Sequence, residues 1–181
     1  KPAILSELAH VYRDYPPLLS QLLFDRGLKE PEEIEKFLKA DYKPGLNSPF
    51  LFRDMEKAVA RIWQAIEQKE KIFIYGDYDA DAITANAVLR QTFKYLGAGA
   101  ESYIPDRFTE GYGVNLEALQ KIANDGCKII ITVDCGTNSV EAAKWCKENA
   151  IDFIITDHHE IIGEAPDAFA LINPKNPNDN Y

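Results

Sequence analysis

Four groups of acidic or histidine side chains in this chain each follow a short apolar run that predicts a buried strand. They are Asp77-Tyr78-Asp79-Ala80-Asp81, Asp106-Arg107, Asp134 and Asp157-His158-His159. Because ligands of an open α/β sheet bind at the carboxyl ends of its strands, we expect these side chains to gather at one edge. Carboxylates and imidazoles gathered in this way can bind a pair of divalent metal ions.

The first group places three aspartates, Asp77, Asp79 and Asp81, at every second position. Like charges this close disfavour ionisation of one another, and a divalent cation removes that cost. The alternative is an acidic helix start, in which Asp79 or Asp81 caps a helix that begins near Ile83. Three carboxylates behind one buried strand favour the metal site.

Two further groups, Asp134 and Asp157-His158-His159, add ligands from neighbouring strand ends. Asp134 follows IIITV, and taken alone it also fits a turn residue that caps the next helix. Asp157-His158-His159 follows DFIIT, and its alternative is a capping aspartate with two exposed imidazoles. Adjacent strands lie about 4.8 Å apart. Residues on neighbouring strand ends can therefore reach the same two metal ions, which lie about 3.5–4 Å apart in two-metal sites.

Arg107 follows the second predicted strand. A guanidinium beside metal ions can hold phosphate oxygens through paired hydrogen bonds. A salt bridge to Asp106 or Glu110 explains the residue equally well, so both interpretations stay open. For the metal itself, carboxylate, imidazole and water ligands together suit Mn²⁺ or Mg²⁺, and histidine favours Mn²⁺.

Alternating strands and helices position these residues. Predicted strands cover residues 71–75, 101–104, 128–133, 152–156 and 169–172, and predicted helices cover residues 83–96, 116–125 and 139–149. This alternation predicts an α/β fold with a five-stranded, mostly parallel sheet flanked by helices. An amphipathic helix at 54–69, with Trp63 expected in the core, precedes the sheet. We assign residues 1–50 to a small helical N-terminal segment, residues 51–181 to the α/β domain, and residues 43–49 and 173–181 to loops.

Composition narrows the function classes. The net charge of −9 weighs against a generic phosphate-binding surface, unless metal ions neutralise part of it or a basic surface lies elsewhere in a longer protein. The three cysteines lack CxxC spacing and are expected to be reduced thiols. We find no membrane-spanning apolar run and no leader, and we expect a soluble cytoplasmic protein with no membrane contact. No GxxxxGK[ST] or GxGxxG pattern indicates a nucleotide site.

The motifs resemble the DHH phosphoesterase superfamily and, within it, the RecJ family of bacterial single-strand-specific exonucleases. The resemblance covers nearly the whole chain and is carried, in order, by PPLLSQLLFDRGLKEPEEIEKFL, SPFLFRDMEKAVARIWQAI, KIFIYGDYDADAIT, YIPDRFTEGYG, IIITVDCG and IITDHHE. It implies a 5′-to-3′ exonuclease that degrades single-stranded DNA in repair and recombination with Mn²⁺ or Mg²⁺, two ions in the complete site. It also suggests a single-strand-binding protein and a helicase as partners.

Site residues are likewise carried over from the resemblance. It implies that five residues bind metal: Asp77, Asp79, Asp81, Asp134 and His158. It places His159 near the scissile phosphate, has Asp157 orient the histidines, and puts Arg107 near the bound strand.

Two departures from the family pattern bear on this interpretation. Ala82 stands where family members usually carry glycine, and a further aspartate ligand and the DNA-binding domains are expected downstream of Tyr181, so the site here is expected to be partial. One rival is another DHH enzyme that acts on short oligonucleotides, cyclic dinucleotides or pyrophosphate. A second is a catalytically eroded relative that binds DNA or proteins, for which Ala82 is the only support.

Overall fold

A computed structural model describes residues 10–111, 113–179 and 181. The chain forms two compact units, Lys1–Asn47 and Ser48–Tyr181. The part of the predicted helical segment at residues 1–9 lies outside the described residues. Within the described ranges, no helix combines the length and apolarity needed to cross a membrane.

The first unit is helical, as the sequence predicts. It contains α1 (Pro17–Asp25), α2 (Pro31–Lys39) and α3 (Tyr42–Gly45). A small core forms around Tyr12, Leu23 and Ile34. The loop predicted at residues 43–49 is wrong at its start, because Tyr42–Gly45 forms one helical turn. The backbone N–H of Gly45 donates to the backbone oxygen of Asp41 at 2.9 Å and closes this turn.

The second unit is a five-stranded parallel sheet with helices on both faces. After a 3₁₀ turn at Pro49–Leu51, its elements are α4 (Met55–Gln68), β1 (Lys71–Gly76), α5 (Ala80–Tyr95), β2 (Ala100–Tyr103), α6 (Leu116–Asn124), β3 (Cys127–Val133), α7 (Val140–Glu148), β4 (Asp152–Thr156) and β5 (Ala170–Ile172). The strand order is β2-β1-β3-β4-β5, and every neighbouring pair is parallel. This confirms the predicted α/β fold.

Alternate residues of each strand supply the two core layers of the sheet. On β1, Phe73 and Tyr75 pack with residues of α6 and α7, whereas Ile72 and Ile74 pack with residues of α4 and α5. Burying an aliphatic or aromatic side chain of this size contributes about 1.5–3 kcal/mol, so the alternation fixes which face each helix covers. The prediction for Trp63 is wrong, because its side chain is 47% exposed.

Candidate metal centre

The register of the sheet brings three aspartates to the same level. The last residues of β1, β3 and β4 are paired across the sheet. Asp77, Asp134 and Asp157 each follow immediately after these strands. The chain leaves β1 for β2 on one side and later returns to β3 on the other, which is the switch point where open α/β sheets bind ligands.

Four of the residues selected from the sequence come together at this edge. Asp134, Asp157, His158 and His159 each offer one ligand atom, and these atoms all lie within 4.8 Å of one another. The two carboxylates are buried and the two imidazoles are exposed. Two buried carboxylates therefore lie beside two imidazole nitrogens that solvent can reach. This set of possible ligand atoms suits a divalent cation.

Asp134 is held in an unusual backbone conformation. Its φ angle is +60°, in the left-handed region where aspartate is tolerated better than most residues. Gly136 follows at φ +108°, and a Cβ there would lie 2.9 Å from Oγ1 of Thr132, so only glycine fits. This turn places the Asp134 carboxylate 2.9 Å from Nε2 of His158. Backbone strain of this kind is concentrated at functional sites.

Asp79 reaches the same point from the other side. Its carboxylate caps α5 by accepting hydrogen bonds from the backbone N–H groups of Asp81 (3.0 Å) and Ala82 (3.1 Å), so the capping alternative holds for this residue. The Asp79 carboxylate also interacts electrostatically with that of Asp134. The hydrogen bond from Ala82 lowers the pKa of Asp79, whereas burial and the nearby charge of Asp79 raise the pKa of Asp134. A cation bound beside both carboxylates would remove this mutual electrostatic cost.

Asp157 holds the two histidines. One of its oxygens accepts from the backbone N–H groups of His158 (2.7 Å) and His159 (3.2 Å) and lies 2.7 Å from Nδ1 of His159. The other accepts from the backbone N–H of Thr137 at 2.9 Å. Burial disfavours the charge on Asp157, but the hydrogen bonds from Thr137 and His159 outweigh it and lower the pKa. Because the carboxylate is ionised, Nδ1 of His159 carries the proton, and this bond raises the pKa of His159.

The sequence analysis missed a supporting residue, Asn173. This fully buried side chain donates to Oγ1 of Thr137 at 2.8 Å and to the backbone oxygen of His159 at 2.9 Å. It therefore links the turns that follow β3 and β4. Asn173 is the first residue after β5. Its position directly after a strand is the signal by which the acidic residues were selected, and it could have identified Asn173 as well.

The remaining residues of the first motif lie outside the four-residue group. Asp77 is buried, and its carboxylate accepts from the backbone N–H of Tyr78 at 2.8 Å. Asp81 is exposed in the first turn of α5. Ala82 is fully buried within α5 and is not among the described residues with positive φ. A helical conformation is open to alanine, so the glycine-to-alanine departure imposes no backbone strain.

Arg107 makes neither of the predicted salt bridges. Its guanidinium lies over the ring of Tyr78, 5.1 Å from the centroid. Asp106 and Glu110 instead accept hydrogen bonds from backbone N–H groups of their own loop and, for Glu110, from the hydroxyl of Tyr103 on β2. Across the described residues, Arg107 has no ion pair. The cation is thus held beside Tyr78, the residue that separates Asp77 from Asp79 in the sequence.

Comparison with known proteins identifies the domain. Residues 71–180 match the model of the DHH family, N-terminal domain. The chain is 45% identical over 180 residues to the single-stranded-DNA-specific exonuclease RecJ of Bacillus subtilis (strain 168), covering 98% of this chain and 22% of that protein. It is 32% identical over 171 residues to RecJ of Escherichia coli (strain K12), covering 94% and 29%. The chain thus spans less than a third of the length of these relatives.

Solved structures agree on the fold. A crystal structure of exonuclease RecJ bound to manganese matches with a TM-score of 0.68 and 30% identity, over 75% of this chain and 35% of that one. RecJ from Thermus thermophilus in complex with Mn²⁺ matches with a TM-score of 0.64 and 24% identity, over 97% of this chain and 24% of that one.

Proposed function

This chain belongs to the DHH family, and we propose that its protein is a metal-dependent exonuclease that degrades single-stranded DNA from the 5′ end. The observation that carries the proposal is the convergence of Asp134, Asp157, His158 and His159 at one edge of the sheet. The 45% identity to a single-stranded-DNA-specific exonuclease over 98% of this chain supports the same substrate. The biological role that follows is DNA repair and recombination.

We assign two ions, Mn²⁺ or Mg²⁺, to the complete site. The electrostatic interaction between Asp79 and Asp134 supports this assignment, because the charge of Asp79 disfavours ionisation of Asp134 and a bound cation removes that cost. The residues that would hold the ions are those selected from the sequence: Asp77, Asp79, Asp81, Asp134 and His158. When bound, such ions activate water for attack on phosphorus and stabilise the developing charge.

Asp157 and His159 have different roles in this proposal. The Asp157 carboxylate accepts hydrogen bonds from Thr137, His158 and His159, so we assign it to orienting the histidines rather than to binding metal. Asp157 fixes the ring of His159 through Nδ1, and the raised pKa of His159 favours a second proton on its ring. His159 can then donate a hydrogen bond to a phosphate oxygen or a proton to the leaving group.

The remaining substrate contacts follow from charge and shape. Arg107, held over Tyr78, supplies a cation for a phosphate of the bound strand. We expect a single-strand-binding protein and a helicase as partners, because a repair exonuclease requires exposed single strands. A cytoplasmic location follows from the same role in a bacterium.

The proposal is tested with full-length protein, Mn²⁺ and a 5′-labelled single-stranded oligonucleotide. We expect wild type to release label from the 5′ end and Asp134→Ala to be slower by roughly 10³-fold. Asp125→Asn is the matched control. This exposed carboxylate lies at the opposite edge of the sheet, where it pairs with Lys71, and we expect its removal to leave the rate unchanged.

Two outcomes contradict the proposal. Degradation by Asp134→Ala at the wild-type rate would refute the assigned site. Preference for cyclic dinucleotides, pyrophosphate or oligonucleotides of a few residues over long single strands would indicate another DHH phosphodiesterase.

A further inference from the structure

Phe108 is the most exposed large apolar side chain among the described residues, at 93%. Exposure by itself is common, and Tyr95 is exposed almost as fully, at 89%. Phe108 differs from Tyr95 in where it lies. Tyr95 is the last residue of α5, and the length of this helix, about 24 Å, separates it from the carboxyl ends of the strands. Phe108 lies in the loop that follows the carboxyl end of β2.

This loop is held by hydrogen bonds of its own. The Asp106 carboxylate accepts from the backbone N–H groups of Phe108 at 2.9 Å and Thr109 at 3.0 Å. The Glu110 carboxylate accepts from the backbone N–H of Asp106 at 2.8 Å and from the hydroxyl of Tyr103 on β2. Two carboxylates therefore fix the turn that presents the Phe108 ring to solvent.

A contact of the preceding residue ties this loop to the first acidic motif. Arg107 lies over the ring of Tyr78, and Tyr78 stands between Asp77 and Asp79. Phe108 is therefore one residue away from a cation held against the acidic motif. A flat apolar ring on a fixed turn, next to a cation, suits a ligand that alternates aromatic rings with negative charges.

We propose that Phe108 is a stacking platform for one unpaired base near the 5′ end of the DNA strand, an inference that rests on the proposed exonuclease function. Every base has a π-face, so such a platform accepts any sequence. A base within a duplex is already stacked between its neighbours and is not available to the ring. Phe108 thereby contributes to the preference for single strands, while Arg107 binds an adjacent phosphate.

The test is a double-mutant cycle that combines a substitution in the protein with a missing base in the DNA. It uses full-length protein and Mn²⁺. Wild type, Phe108→Ala, Phe108→Trp and Tyr95→Ala are assayed on single-stranded oligonucleotides that carry one abasic site at each of the first six positions from the 5′ end. We expect Phe108→Ala to raise KM by roughly 5- to 150-fold on intact DNA, the range for loss of one base–aromatic stack. Phe108→Trp is expected to retain the wild-type KM, and Tyr95→Ala is expected to leave it unchanged.

The decisive result is whether the effect of Phe108→Ala on KM depends on the position of the abasic site. At one position, the abasic site is expected to raise KM for wild type by the same factor, and to have no further effect on Phe108→Ala. If the KM effects of Phe108→Ala and of the abasic site multiply at all six positions, the stacking platform is refuted. This holds even if Phe108→Ala lowers the unfolding temperature, because the comparison is made within each variant. If wild type neither binds nor degrades single strands, the proposed function fails first and this inference fails with it.

Discussion

The Asp157 carboxylate lies 2.7 Å from Nδ1 of His159, and its side chain is only 1% exposed whereas the imidazole is 43% exposed. A buried anion thus fixes the tautomer and orientation of a ring that solvent can reach. The proposed mechanism gives these residues separate roles, in which Asp157 orients the ring and His159 transfers the proton.

Asp157→Asn is expected to lower kcat by roughly 10²–10⁴-fold, because the amide can no longer hold the His159 ring with a charged acceptor. The measurement is kcat of full-length protein on single-stranded DNA, with Asp167→Asn, an exposed acid paired with Lys147, as the control. Since Asp157 acts through His159, the double variant with His159→Gln should be no slower than His159→Gln alone. Additive losses would show that the two residues act independently.

Asn173→Ala is expected to destabilise the protein by about 1–3 kcal/mol, because it removes the donor to Thr137 and to the backbone of His159 in a fully buried position. Denaturant unfolding measures this loss. Asn178→Ala is the matched control, since Asn178 is exposed in the same segment and its loss should cost less than about 0.5 kcal/mol. Equal effects of the two substitutions would refute the supporting role of Asn173.

Asp134→Asn is expected to stabilise the metal-free protein. The substitution removes the repulsion between Asp134 and Asp79, and asparagine tolerates the left-handed φ of +60°. Asp134→Ala also removes the charge but incurs about 1–2 kcal/mol of backbone strain. Thermal unfolding in EDTA should therefore rank Asn above both Ala and wild type. A wild-type protein more stable than Asp134→Asn without metal would contradict the charge argument.

The three cysteines are expected to resist modification in the folded protein. All are buried, and burial raises the pKa of Cys127 and Cys146 to about 12 and raises the pKa of Cys135 as well. At pH 8 a thiol of pKa 12 is ionised in about one molecule in ten thousand. A thiol reagent at pH 8 should react only after denaturant is added, and rapid labelling of the native protein would refute this placement.

The same shifts set a dependence of stability on pH. The folded thiols have a pKa above the ordinary value of 9.0, so the unfolded state loses protons first as pH rises. The free energy of unfolding should be insensitive to these groups below about pH 8 and should fall above pH 9. Cys146→Ala should weaken that fall.

The spacing of apolar and polar residues within each segment predicts most of the strands and helices. The features that it does not predict depend largely on polar contacts between residues far apart in the sequence. The strand 152–156 was predicted to the residue because an apolar β-branched run between a helix end and an acid is unambiguous. Helix α5 begins at Ala80 rather than Ile83 because Asp79, one of two candidate caps, is the one used. The role of Asn173 depends on Thr137, 36 residues away, and no pattern within one segment encodes such a contact. Trp63 repeats with the apolar face of α4, but helical spacing alone does not show where the buried stripe ends.

Donors from separate strand ends are proposed to share bound metal. Titration of Mn²⁺ into the metal-free full-length protein, followed by calorimetry, measures that binding. Two ions per wild-type chain are predicted, with binding strongly weakened in Asp134→Asn and unchanged in Asp125→Asn. Equal binding by wild type and Asp134→Asn would refute the shared metal site.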